Sequence, residues 1–139
     1  MKNLVLIPLF IFTLISCTKN KDEVFPQKWQ LIKMFGGQIG YYESTGTDMA
    51  WQEYYLLNSN GTFTKHRERD GKVIEASGTF TFKNKSDGKY FYLTYNSGGQ
   101  IIGNCSSNNI ETLLLKSGNN LFNTWADCDG PGLEYTRIE

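Results

Sequence analysis

From Trp29 to the end of the chain, apolar and polar residues alternate with a period of two, and turn signals recur every 8–15 residues. Trp29-Gln30-Leu31-Ile32-Lys33-Met34-Phe35 reads as a first strand, closed by Gly36-Gly37. Residues 38–50 lack a regular period and are assigned to no element; a loop with a helical turn fits them. Trp51 to Leu57 and Thr62 to Glu68 form a hairpin across Asn58-Ser59-Asn60-Gly61, since Asn and Gly accept the positive φ of a tight reversal. Asp70-Gly71 turns the chain into Val73 to Lys83, where Gly78 marks a bulge or bend. After Ser86-Asp87-Gly88, Lys89 to Tyr95 carries aromatics on both faces, Tyr90 and Tyr92 on one, Phe91 and Tyr95 on the other. Gln100 to Cys105 reads as another short strand. Ile110 to Lys116 and Leu121 to Cys128 form a hairpin across Ser117-Gly118-Asn119-Asn120. Asp129-Gly130-Pro131-Gly132 is a turn cluster, and Leu133 to Ile138 closes the chain.

No segment shows a sustained amphipathic helix. Eight to nine short strands in hairpin succession predict an all-β chain: an up-and-down antiparallel meander closing into a small barrel of about eight strands. Closure removes exposed edges, and eight strands leave an interior just wide enough for side chains or one small ligand.

The first residues follow a different pattern. Met1-Lys2-Asn3 is a short basic tip, and Leu4 to Ile15 is an apolar run of twelve broken only by Pro8 and Thr13. It is too short for a membrane span and has the build of a secretory signal peptide, residues 1–16. Leu14-Ile15-Ser16-Cys17 resembles the lipobox of a bacterial lipoprotein. That resemblance implies acylation of Cys17, by palmitate or a similar chain, cleavage before it, and a membrane attached through this lipid anchor. Residues 17–26 are then the lipidated Cys and a flexible tether, and 27–139 the barrel domain. Thr18 leaves no Asp after Cys17, and Lys21-Asp22-Glu23 resembles a charged tether signal for export to the surface. The expected location is the cell envelope, anchored to the outer membrane on its periplasmic face or at the cell surface.

Removing residues 1–16 leaves 123 residues, enough for one domain. With 13 basic against 14 acidic residues the mature charge is −1, which argues against nucleic acid as a partner. Cys105 and Cys128 remain as an even pair in an oxidising compartment, where thiols tend to pair. A disulfide closing their loop of 22 residues adds about 3 kcal/mol of stability in the chain-entropy model. The alternative is two free thiols.

The domain is similar to the small lipocalin-like domains of lipoproteins from Bacteroidetes-type bacteria. The similarity covers about residues 27–139. It rests on Trp29 in the first strand, Leu57-Asn58-Ser59-Asn60-Gly61-Thr62-Phe63, Gly78-Thr79-Phe80, and Tyr135-Thr136-Arg137. It implies a non-enzymatic barrel, without cofactor, that holds a ligand or contacts a partner. It also implies a barrel-closing pair, in which Arg137 covers Trp29. Leu133, Tyr135 and Arg137 share a face, as that requires. Gln27 departs from the family, which carries Gly there, and the domain is short for a lipocalin.

Other motifs carry less. Lys65-His66-Arg67-Glu68-Arg69-Asp70 is the densest charge run and reads as a solvated hairpin tip. His66 is the only His, with no Cys, second His or acid array near it in sequence, so metal and general-base roles lack support. Asp127-Cys128-Asp129-Gly130 resembles a fragment of a calcium loop, but the twelfth residue from Asp127 is Ile138 rather than Glu. No phosphate loop, nucleophile elbow or zinc spacing appears. The 20 aromatic residues supply either a ligand pocket or a filled core. The expected function is therefore binding of a small apolar or aromatic ligand. The alternative is an interaction or structural module of the envelope with a filled barrel and a protein partner not identified by the sequence.

Overall fold

The computed structural model describes residues 24–36 and 42–139. The signal segment, Cys17 and most of the tether lie outside the described residues. Nine strands follow one another: β1 (Gln27–Gly36), β2 (Tyr42–Thr45), β3 (Gln52–Leu57), β4 (Thr62–Arg69), β5 (Lys72–Lys85), β6 (Gly88–Tyr95), β7 (Ile110–Ser117), β8 (Asn120–Asn123) and β9 (Gly132–Arg137). Every pairing is antiparallel between neighbours, and β1 also pairs with β9. Eight strands, all but β2, therefore make a closed antiparallel barrel of lipocalin-like form. Along one edge of β1 runs β9, from Trp29↔Arg137 to Phe35↔Gly132. The other edge takes β3 at Gln27 to Gln30 and then β2 at Lys33 to Gly36.

The unassigned stretch thus contributes β2 and a 3₁₀ turn at Gly46–Asp48. Three expectations are corrected. Gln100 to Cys105 is no strand: a 3₁₀ turn spans Gly99–Ile101 and irregular chain follows. The strand expected over 121–128 ends at Asn123 and gives way to a 3₁₀ turn, Trp125–Cys128. Gly78 is no bulge, because its pairing with Phe63 and Tyr95 runs without a register shift. It is glycine because a Cβ there would lie 1.9 Å from the Thr94 carbonyl oxygen and 2.9 Å from the Phe63 ring.

The shifts lie elsewhere. In β1 the register against β9 slips between Leu31 and Lys33, leaving Ile32 as the extra residue. The alternation of buried residues moves accordingly from Gln27, Trp29 and Leu31 to Met34. In β7 the register against β8 slips between Leu115 and Ser117, leaving Lys116 as the extra residue.

The two ends of the barrel differ. At one, the connections are short: residues 58–61, 86–87 and 118–119, joined by the entry into β1 and the exit from β9. Main-chain bonds from Lys28 to Glu139 and from Ile138 to Lys28 tie that entry and exit together. At the other end lie β2 with its 3₁₀ turn, the Asp70-Gly71 turn, and the long connections 96–109 and 124–131. These ends are the closed end and the rim below.

All eight strands send side chains inward. Trp29 and Leu31, Tyr55 and Leu57, Phe63 and Lys65, Phe91 and Leu93, Leu113, Leu121, and Leu133 and Tyr135 are at most 2 % exposed, with Ala76 and Phe80 of β5 also buried. A side chain that no water-sized sphere can touch borders no void able to hold a water. The interior along these residues is filled.

Candidate functional site

Four charged side chains stand among those inward positions. Glu53 of β3, Lys65 and Arg67 of β4, and Glu111 of β7 are buried near the rim. Backbone parity puts them there. Glu53 shares its face with Tyr55 and Leu57, Lys65 and Arg67 with Phe63, and Glu111 with Leu113. The expectation of a solvated hairpin tip is therefore corrected for two residues of the charge run, Lys65 and Arg67. Lys65 is 0 % and Arg67 9 % exposed, whereas Glu68, Arg69 and Asp70 are exposed. The reason is that hydrogen bonds and opposite charges await both cations inside.

Lys65 is the hub. Its Nζ donates to both Glu111 carboxylate oxygens at 3.1 Å and to the Ile101 carbonyl at 2.8 Å, and lies 3.3 Å from Glu53 Oε1. It also sits 4.9 Å from the centre of the Tyr55 ring. Arg67 donates from Nε to Glu53 Oε2, and its guanidinium lies 4.3 Å above the Trp51 ring. Two tyrosines complete the carboxylates: Tyr135 donates to Glu53 Oε1 at 2.5 Å, and Tyr95 to Glu111 Oε2. Two cations offset two anions, so the group is neutral when all four are ionised. Buried charges persist only when paired in this way.

The connection 96–109 caps the cluster. Ile101 is 2 % exposed, its carbonyl accepts from Lys65, and the Gly103 amide donates to Glu111 Oε1 at 3.2 Å. Gly103 must lack a side chain, because a Cβ would stand 2.8 Å from that carboxylate oxygen and 3.0 Å from the Trp125 ring. The same connection carries Cys105, whose sulfur lies 2.07 Å from that of Cys128. The disulfide expected from the compartment thus straps two rim connections together, with Cα atoms 5.5 Å apart.

Burial raises the Tyr55 and Tyr135 hydroxyls well above the ordinary tyrosine value, and nearby carboxylate charge adds to this. Tyr95 is raised for the same reasons, burial first and then Glu111. For Arg67, burial alone would lower the pKa; the charge and hydrogen bond of Glu53 outweigh it, and the net shift is upward. Trp51 Nε1 is buried without a hydrogen-bond partner among the described residues. The cluster holds its carboxylates to fixed donors and hides them from solvent. What it does is join β3, β4, β6, β7, β9 and the rim connection.

Trp29 and Arg137 are direct partners in the β1–β9 register. Trp29 is 1 % exposed, and its indole donates to Gln27 Oε1 at 3.0 Å. Gln27 is itself fully buried and donates to the Val24 carbonyl. Arg137 donates to the carbonyls of Glu139 at 2.8 Å and Val24 at 3.1 Å, tying both chain ends to the closed end. His66 stacks on Tyr54 on the outer wall, 4.8 Å between ring centres, and is 3.4 Å from Glu75.

Open concavities lie at the rim. One of about 470 Å³ is bordered by Thr47, Met49, Trp51, Glu68 and Asp70 among others. A second, about 430 Å³, is bordered by Met34, Tyr42, Asp48, Trp51 and Pro131 among others. Ala50 and Trp51 belong to both. No group of three His, Cys, Asp or Glu able to hold a metal occurs among the described residues, and no helix among them is long and apolar enough to cross a membrane.

Fold and site together define a small closed barrel with a filled, partly ionic core and an open, strapped rim. Comparison with protein-family models, with curated proteins and with solved structures found no match to this chain.

Proposed function

We propose that this protein is a lipid-anchored, non-enzymatic module of the cell envelope that binds a partner through its rim. The observation that carries this reading is the filled interior: fully buried side chains from around the barrel occupy the space where a lipocalin-like calyx would hold its ligand. Binding then falls to the rim, where long connections, the disulfide and two concavities are gathered. The rim has an acidic surplus, with Glu43, Asp48, Glu68, Asp70, Asp127 and Asp129 against Lys33, which pairs with Glu43 at 3.2 Å, Arg69 and Lys72. Complementarity favours a partner with a basic face. A chain anchored at Cys17 enters the barrel at the closed end, opposite the rim, and leaves the rim pointing outward.

A photo-crosslinking residue placed at Thr47 or Asp70 tests this in the native host. The expected result is one discrete adduct from each rim position and none from Thr81 on the wall. Adducts from Thr81 alone, or none at either rim position, would overturn it. A second reading rests on the shared wall at Trp51: a small aromatic ligand bound in the rim concavities. It predicts that Trp51→Ala abolishes retention of a small molecule while leaving protein adducts at Asp70 unchanged. Anchoring is tested separately: Cys17→Ala should lose incorporation of a fatty-acid analogue.

A further inference from the structure

The closed end carries the opposite charge to the rim. Among the described residues it gathers Lys28, Lys83, Lys85, Lys89, Lys116 and Arg137, with Asp87 and Glu139 as its acidic side chains. Asp87 is already engaged, since Tyr90 donates to it at 2.5 Å; that bond, aided by Lys85 and Lys116, holds its carboxyl below the usual range.

All five of these lysines lie against aromatic rings, with Lys28 4.8 Å from the centre of the Tyr54 ring. Lys85 is 4.0 Å from the centre of the Tyr90 ring, Lys83 5.9 Å from Tyr92, Lys89 4.8 Å from Phe82 and Lys116 5.3 Å from Phe122. They converge because the 86–87 turn and the 118–119 turn are neighbours through the β6–β7 pairing. The same end exposes apolar tips: Phe82 at 38 %, Val24 at 45 % and Ile138 at 51 %. Cations above aromatic faces, with apolar tips between them, match a surface of anionic headgroups over acyl chains.

We infer that the closed end docks on an anionic phospholipid surface, so that the barrel stands on the membrane with its rim away from it. This rests on the lipid-anchor reading, because the tether delivers the chain to this end at Gln27. Tethering raises the effective concentration of the lysines at the surface, so contacts too weak to bind alone act as an orienting device. Each lysine held near an anionic surface contributes about a fivefold gain in occupancy.

The test uses the mature acylated protein purified from its host and placed in vesicles of phosphatidylcholine or of phosphatidylcholine with phosphatidylglycerol. Amine acetylation is followed residue by residue with mass spectrometry. Lys83, Lys85, Lys89 and Lys116 should react about threefold or more slowly on the anionic vesicles, while Lys72 at the rim is unchanged. High salt should erase the difference. A variant with Lys83, Lys85, Lys89 and Lys116 changed to Gln should lose the protection of the fifth closed-end lysine, Lys28, as well. Equal rates on both vesicles, or equal protection of Lys72, would overturn the docking. The anchor reading fails separately, if the purified protein lacks an acyl mass and does not float with phosphatidylcholine alone. The unacylated protein must then still show the lysine protection on phosphatidylglycerol vesicles, or the docking falls with it.

Discussion

The two halves of the barrel are filled by different chemistry. Toward the closed end the facing side chains are Trp29, Leu57, Phe63, Phe91 and Leu121, and hydrophobic burial holds them at about 25 cal/mol per Å². Toward the rim, Glu53, Lys65, Arg67 and Glu111 intrude among Leu31, Met34 and Leu133. The apolar half is held by a non-directional force and asks only for matching volume and shape. The ionic half asks for more: each charge depends on particular hydrogen-bond partners, and two of these, the Ile101 carbonyl and the Gly103 amide, come from the 96–109 connection rather than from a strand. The cluster therefore couples the shape of the rim to the integrity of the barrel. The disulfide holds that coupling in place from outside.

Removing the hub should have the largest effect. Lys65→Met leaves Glu53 and Glu111 facing each other without their shared cation and should cost about 3–5 kcal/mol. Lys83→Met, an exposed lysine of the closed end, should change stability by less than about 0.5 kcal/mol. Urea denaturation of both variants measures the contrast; similar losses would mean that the buried cluster makes no more use of Lys65 than the surface makes of Lys83.

Alkaline pH attacks the same half. The folded-state values of Tyr55, Tyr95 and Tyr135 are raised, so the folded chain keeps three protons that the unfolded chain releases near pH 10. Their contribution is intact below about pH 10 and is lost as pH rises above it. The loss grows by about 1.4 kcal/mol per pH unit for each tyrosine, or about 4 kcal/mol at pH 11 for the three. In a spectrophotometric titration these three phenols should ionise only with unfolding. Their smooth ionisation in the folded state would show the cluster to be open.

Opening the strap should cost somewhat less. Cys105→Ser with Cys128→Ser should remove about 3 kcal/mol, and hydrogen exchange should rise first at Ile101 and Gly103. Exchange spread evenly over both ends would mean that the disulfide does not act on the rim. The smallest effect is at the closed end. Arg137→Ala should cost about 1–3 kcal/mol, and its coupling to Trp29→Ala in a double-mutant cycle should be about 0.5–2 kcal/mol. Strict additivity would assign the loss to the carbonyl contacts of Arg137 alone.

The barrel was legible because its signals are local. The alternation of Trp29 to Phe35 and the Asn58 to Gly61 turn each act over a few residues, and closure follows from an all-antiparallel meander. The pairing of Trp29 with Arg137 was reached through resemblance, and the register places them opposite each other. The ionic cluster was misread for a physical reason. Lys65 and Arg67 sit in a run of charges, and charge is normally exposed. The contrary signal was parity: both share a face with Phe63, as Glu53 does with Tyr55 and Glu111 with Leu113. Parity shows that such a residue points inward, but the partner that makes burial affordable lies 46 positions away, as Glu111 does from Lys65. The capping role of Ile101 was illegible for a related reason: it is played by a backbone carbonyl, which every residue has.

The central claim is that the barrel's interior is full and that binding belongs to the rim. Native mass spectrometry of the protein purified from its own host tests it most directly, paired with the Trp51→Ala variant. The account predicts no small molecule retained in the interior, so that any retained mass disappears when Trp51 is removed. A small molecule held one to one by the wild type and kept undiminished by Trp51→Ala would place a ligand inside the barrel and contradict it.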